Sequence, residues 1–225
     1  MIGRAGRTHG THVSTHTTSP EPVTLGPKEE RRARSDRRML RAAIALLGKH
    51  GSVGASLAQI GLDAGYSRGL PAQRFGTKLR LLQAVVDAME AWFDRFVAAR
   101  TRGRKGCDAL SERIRAQLDA VRLEPDSAVA NYHLLVDSIG STPELAPRIA
   151  ALQEGYRQNI RSYLVEAREM GELREDLDID QTVRVILGAI SGLGLQALIE
   201  GNPERLEEDG EFAAALLIGG IIKSR

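Results

Sequence analysis

From Pro27 onwards the apolar residues of this chain recur at three- and four-residue spacings, and no segment sustains the every-second-residue alternation of a half-buried strand. That pattern leaves an all-α fold. The first helix is read from "PKEERRARSDRRMLRAAIALLGKHG", which opens on a proline suited to a first helical turn and closes on Gly51, a natural residue just past a helix end. Leu40, Ala43, Ile44 and Leu47 give its apolar stripe, with Arg37, Arg38 and Arg41 towards the polar side. A long helix is expected from Lys78 to about Arg100, striped by Leu82, Val85, Val86, Met89, Phe93 and Phe96, with Trp92 beside it. Later helices are expected near residues 108–123, 127–138, 143–170, 179–200 and 203–222.

Between the first two long helices lies "ASLAQIGLDAGYSRGLPAQRFGT". Ser56 is a good N-cap, and Leu57, Ile60, Gly61 and Ala64 make one short apolar face. Gly65 supplies a turn, Ser67 can cap a second short helix, and Phe75 is the bulky residue that closes a small core. Two short helices on a tight glycine turn, preceded by a longer helix, form a helix-turn-helix unit. Pro71 would then be the fourth residue of the second helix, without the N–H that reaches the Ser67 carbonyl, and it biases Leu70 away from the α region. The expected second helix is short with a tightened or distorted first turn; the alternative is no helix there at all.

Charge assigns this region a partner. Up to Leu82 there are 14 Lys/Arg against 5 Asp/Glu, a net of +9, and beyond it 17 against 24, a net of −7. A basic first third on an acidic remainder suits contact with a polyanion. Duplex DNA is held mainly through phosphates and read at base edges in the major groove. Ser56, Ser67, Thr77 and Lys78 stand at helix starts, where hydroxyls either cap the helix or also face phosphate. Arg68 and Gln73 are the candidates for base readout, since arginine pairs bidentately with guanine and glutamine with adenine. Arg68 can equally bind phosphate alone. Leu70 and Ala72 can touch a thymine methyl, and Arg74 faces either the DNA backbone or the neighbouring helix.

The last two helices carry a different message. "VRVILGAISGLGLQALI" and "FAAALLIGGII" are apolar almost all round, so each is covered on several sides. Gly188, Gly192 and Gly194, with Ala189 and Ser191, leave room for a second helix to approach. A subunit interface built as a four-helix bundle across a twofold axis fits, with Gly188, Ala189, Gly192, Leu195, Leu216 and Ile221 as its expected residues; an intramolecular core is the alternative.

Several classes are set aside. Aromatic residues make up only 4% of the chain, so its core must rest on Leu, Ile, Val and Ala. Cys107 stands alone, which excludes an internal disulfide and a cysteine metal site. A Cys107–His133 nucleophile pair has no supporting sequence context, and no enzymatic activity, cofactor or metal is expected. Residues 1–20 contain no apolar signal region, and the longest uncharged apolar run, Val185 to Ile199, has 15 residues where a membrane span needs roughly 20. A cytoplasmic protein with no membrane partner is expected. Residues 1–30 read as a polar tail, in which His9, His12 and His16 form either a metal clip or part of a flexible segment.

The segment "SLAQIGLDAGYSRGLPAQRFGTKLRLL" resembles the DNA-binding region of the TetR (tetracycline-repressor) family of bacterial transcriptional regulators. The matching residues are Ser56, Ile60, Ala64, Gly65, Ser67, Arg68, Gly69, Phe75, Thr77, Lys78, Leu81 and Leu82, with "LRAAIALLGKHG" matching the first helix. The chain departs from the family at Leu70, Pro71, Ala72 and Gln73, where Thr or Ser, an aliphatic residue, Tyr, and His or Tyr are usual. The resemblance implies a helix-turn-helix domain over residues 31–82, with its motif at about 56–75, and a helical effector-binding and dimerisation domain over 83–225. It also implies a homodimer on a palindromic duplex operator, released by a small-molecule effector. Trp92, Phe96, Tyr132, His133, Tyr156 and Tyr163 are the candidates to line the effector pocket. A dimeric ligand-binding or interaction protein that has lost DNA binding is the competing reading.

Overall fold

The computed structural model describes residues 26–223, and the polar tail with its three histidines falls outside them, apart from Gly26, which caps α1, and residues 27–30. Those four form the first turn of α1 (Pro27–Gly54), with Pro27 at the position where a missing N–H is harmless. Gly51 breaks this helix with a φ of 63°, so its last residues turn away. The break is held from outside. The Ser52 N–H donates to Asp137 Oδ2 at 2.8 Å, and the Ser52 hydroxyl lies 2.9 Å from Thr142 Oγ1.

Two short helices follow, α2 (Leu57–Asp63) and α3 (Leu70–Phe75), and then α4 (Lys78–Thr101), capped by the Thr77 hydroxyl. The remaining helices are α5 (Gly106–Leu123), α6 (Pro125–Ile139), α7 (Ala146–Glu169), α8 (Ile179–Ile199) and α9 (Leu206–Gly219). One-turn 3₁₀ segments, Pro143–Leu145 and Pro203–Arg205, lead into α7 and α9. Among the described residues there is no sheet, only one isolated antiparallel bridge between Leu173 and Ile222 that pins the C-terminal strand-like end.

Apolar packing divides into two main clusters. Met39, Ala43, Leu47, Ile60, Leu81, Leu82 and Val85 from the first four helices share one core with Ala130, Leu134, Ile149 and Leu152 of α6 and α7. Leu110, Ile114, Leu118, Ile160, Leu164, Ile186 and Ile190 centre the other, among α5, α7, α8 and α9. Helix α4 runs out of the first cluster without a gap at residue 82, and further along its Phe93 and Val97 pack with Ala116 and Ala120 of α5. It is clamped on both sides: Arg148 of α7 pairs with Asp87 at 2.7 Å and with Glu90, and Arg100 pairs with Glu112 of α5 at 2.6 Å and with Asp119. Helix α8 is long and apolar enough to cross a membrane, yet Val183, Ile186, Leu187, Ile190 and Ala197 are buried against this second cluster.

Candidate nucleic-acid interface and effector cavity

The basic head is assembled around close backbone approach. Ser56 caps α2, its hydroxyl accepting from the Gln59 N–H at 3.1 Å. After α2 the chain reverses through Gly65, whose φ of 78° suits glycine, and the Tyr66 N–H returns to the Gly61 carbonyl at 2.8 Å. Ser67 does not cap α3 as its sequence position suggested. Helix α3 starts at Leu70 with Gly69 before it, and the Leu70 N–H closes a tight turn onto the Ser67 carbonyl at 3.2 Å. This places Pro71 second in the helix rather than fourth, where no intrahelical partner for its N–H exists anyway. The helix is short as expected, and the tightened turn lies just ahead of it, at the Leu70–Ser67 hydrogen bond. The proline ring is buried against Gly61.

This arrangement sorts the candidate DNA contacts. Arg68, Gly69, Ala72 and Gln73 are exposed together along the turn and the outer face of α3, while Leu70 is half-buried against the head core. Arg74 points back to α1, where it donates to Ser35 Oγ at 2.9 Å and pairs with Asp36 at 3.3 Å. Its position is that of a brace between α3 and α1 rather than of a free DNA contact. Lys78 donates from Nζ to the Val53 carbonyl at 3.1 Å, and the exposed Thr77 hydroxyl accepts from the Arg80 N–H at 3.2 Å. Ser56 and Ser67 are exposed at the two ends of α2 and its turn. One pair escaped the sequence reading: the Arg38 guanidinium stacks 5.3 Å from the centre of the Tyr66 ring, beside Gly65. The aromatic in the turn was its one available signal.

In the larger helical body, α4, α5, α6 and α7 line a partly open cleft with a volume of about 70 Å³. Three of the six expected pocket residues, Trp92, Tyr132 and Tyr156, line it together with Met89, Phe93, Gln117, Asn131 and Leu152. The other three lie elsewhere. Phe96 stacks behind Trp92 with ring centres 5.2 Å apart, and Tyr163 donates to Thr101 Oγ1 at 3.3 Å on another side of α7. His133 stands beside Gly51 and faces a separate groove with Leu195 and Leu198. Burial pushes the Tyr132 and Tyr156 hydroxyls up to about 12, so both stay protonated near neutrality. Tyr132 donates to the Ser191 carbonyl at 2.7 Å, an approach that requires Gly194, where a Cβ would sit 3.0 Å from the Tyr132 oxygen. Cys107, pushed up to about 12 by burial and then by its hydrogen bond to Glu172, holds no reactive thiolate.

The last two helices leave an apolar face uncovered. Val185, Gly188, Leu195 and Ile199 are exposed along α8, and Phe212, Leu216 and Gly219 along α9, with Ala189 and Gly192 half-buried at the edge. Among the described residues, nothing outside the adjoining stretch of α8 itself comes within 4 Å of a Cβ placed on Gly188 or Gly192. Ile221 does not belong to this face: it is 7% exposed, packs in the second core cluster, and its carbonyl accepts from the Arg174 N–H at 3.1 Å.

Comparison with known proteins agrees with this layout. Residues 106–217 match the family described as BetI-type transcriptional repressor, C-terminal. The chain is similar to the HTH-type transcriptional regulators CymR and SrpR of Pseudomonas putida. It is 26% identical to CymR over 189 residues, covering 79% of this chain and 86% of the relative. It is 27% identical to SrpR over 161 residues, covering 72% and 74%. Its fold is that of the transcriptional regulator FadR from Bacillus subtilis, solved in complex with stearoyl-CoA, with a TM-score of 0.73 at 20% identity over 82% of this chain and 98% of that one.

Proposed function

Because the chain belongs to the TetR family of transcriptional regulators, we propose that it is a sequence-specific DNA-binding repressor released from its operator by a small molecule bound in the α4–α7 cleft. The observation that carries this reading is the exposed row Arg68, Gly69, Ala72 and Gln73, on a short helix braced from behind by Pro71 and Arg74. Arg68 and Gln73 read base edges, and Ser56, Ser67, Thr77 and Lys78 face phosphate, Lys78 by exchanging its bond to the Val53 carbonyl for one to DNA. Residues 31–82 make up the DNA-binding domain and 83–225 the effector and dimerisation domain.

The uncovered α8–α9 face, with Gly188, Gly192, Leu195 and Leu216, pairs with a second copy about a twofold axis, and the two heads then address half-sites of a palindrome about 34–36 Å apart. Helix α4 links the two functions, since Leu81 and Leu82 sit in the head core while Trp92 and Phe93 line the cleft. An effector that prefers one placement of α4 lowers operator affinity by the coupling free energy, typically about 1–3 kcal/mol. The protein acts in the cytoplasm as a soluble dimer.

The test is a mobility shift on the gene's own upstream region, with sites then selected from random DNA. A complex that weakens steeply with salt and selects a palindrome is expected. Failure to bind any duplex would favour a ligand-binding protein that has lost its DNA function.

A further inference from the structure

Arg113, at the centre of α5, is the largest side chain among the described residues with no solvent contact. Its guanidinium donates from Nε to Asn159 Oδ1 at 2.8 Å and from Nη1 to Gln117 Oε1 at 3.1 Å, while Nη2 has no hydrogen-bond partner. Both acceptors are neutral amides. No salt bridge reaches Arg113 among the described residues; Asp94 acts on it only through space. Burial lowers its pKa to about 10, which still leaves it charged near neutrality. Buried charges are ordinarily paired, and a buried donor without a partner calls for a reason.

Its surroundings indicate one. The guanidinium lies 4.8 Å from the centre of the Phe93 ring and 5.9 Å from that of Tyr156, two rings that meet edge-to-face and also line the α4–α7 cleft. Gln117 lines the same cleft, so three of the four side chains around the guanidinium are cleft wall. The carboxylates of that wall do not supply the missing charge: Glu90 is paired with Arg148, and Glu124 is exposed at the α5–α6 junction.

We propose that Arg113 is the anion-binding group of the cleft, and that its ligand is an amphiphilic carboxylate whose acid group passes between Phe93 and Tyr156 to Nη2 while its apolar body lies along Met89, Trp92 and Leu152. This rests on the reading of the cleft as the effector site, and the two claims separate experimentally.

Calorimetry on the full-length protein with decanoate and phenylpropanoate, against their primary amides and the corresponding amines, tests the anion site directly. The acids should bind about ten- to hundredfold more tightly than the amides, the range of a charge-assisted hydrogen bond. Gln117→Glu, a near-isosteric change that pairs Arg113 internally, should remove most of that preference and keep the helical fold; Arg113→Met should remove it too. Amides or amines binding as well as acids, no binding of either acid, or an undiminished acid preference in Gln117→Glu would overturn the proposal. Acids that bind with the expected preference but leave the DNA complex intact in a mobility shift would support the anion site and overturn the effector reading.

Discussion

Pro71 of α3 lies directly on Gly61 of α2: a Cβ built at Gly61 would sit 3.0 Å from the proline Cδ and 2.5 Å from the Ser67 carbonyl oxygen. The glycine and the proline together set how closely the two short helices of the head approach. Proline at this position looks like a defect in the reading helix from sequence. In the fold it is the buried underside that lets the opposite face stay polar and exposed.

Gly61→Ala should therefore destabilise the head by roughly 1–3 kcal/mol through overpacking, because a backbone carbonyl cannot swing aside as a flexible side chain can. Urea unfolding followed by far-ultraviolet circular dichroism measures this. Operator binding should weaken while ligand binding in the helical body is retained.

Arg68→Ala and Gln73→Ala should each relax the selected sequence at one position, at about 1–3 kcal/mol of discrimination, without changing the dimer. Arg74→Ala should behave differently. It breaks the link to Ser35 and Asp36, so the expected outcome is lower head stability with an unchanged base preference. Selection from random DNA with each variant separates the two kinds of residue. An unaltered motif for Arg68→Ala rules out direct readout by that side chain.

The junction between head and body should weaken in acid. Burial raises the pKa of Asp137, but hydrogen bonds from the Ser52 hydroxyl and N–H and from Ser141, with the nearby His133, outweigh it and hold the carboxyl below its ordinary value of 3.8. A depressed folded pKa contributes stability that is present above the unfolded value and lost as pH falls through the folded one. Denaturation midpoints measured from pH 5 down to pH 3 should fall more steeply for the wild type than for Asp137→Asn.

Leu195→Glu together with Leu216→Glu should yield a monomer by sedimentation velocity, since both leucines stand on the uncovered α8–α9 face at 41% and 63% exposure. Operator affinity should fall with the dimer, because each head alone holds only half a site. Ile221→Glu should instead unfold the C-terminal end, as that residue lies inside its own chain's core.

The sequence was most informative where a single periodicity or cap decides the outcome. Ser56 and Thr77 cap the helices expected of them, and the body helices begin and end within a few residues of their apolar patterns. The stripe of α1 is displaced by about one residue, onto Met39, Ala43, Leu46 and Leu47, because this helix is covered from two sides, by the head and by α6, and a one-sided pattern cannot show both. Ser67 misled because a hydroxyl before a short helix has the same sequence signature whether it caps or merely turns. Phe96, His133 and Tyr163 missed the cleft because an aromatic or histidine on an amphipathic helix carries no mark of which neighbour it meets. Arg113 could not be singled out at all: among the other arginines of α5 it reads as one more residue on a polar face.

The left-handed break at Gly51 turns the end of α1 onto α6, where Ser52 is tied to Asp137 and Thr142. Along the rest of α1, Met39, Ala43 and Leu47 share an apolar core with Ala130 and Leu134 of α6. The head is therefore fastened to α6 by packing and hydrogen bonds and to α4 by the chain itself. A tilt of α6 against α4, the two helices that flank the cleft, would carry α3 with it, and the distance of α3 from the cleft would enlarge a small tilt into a longer sideways displacement.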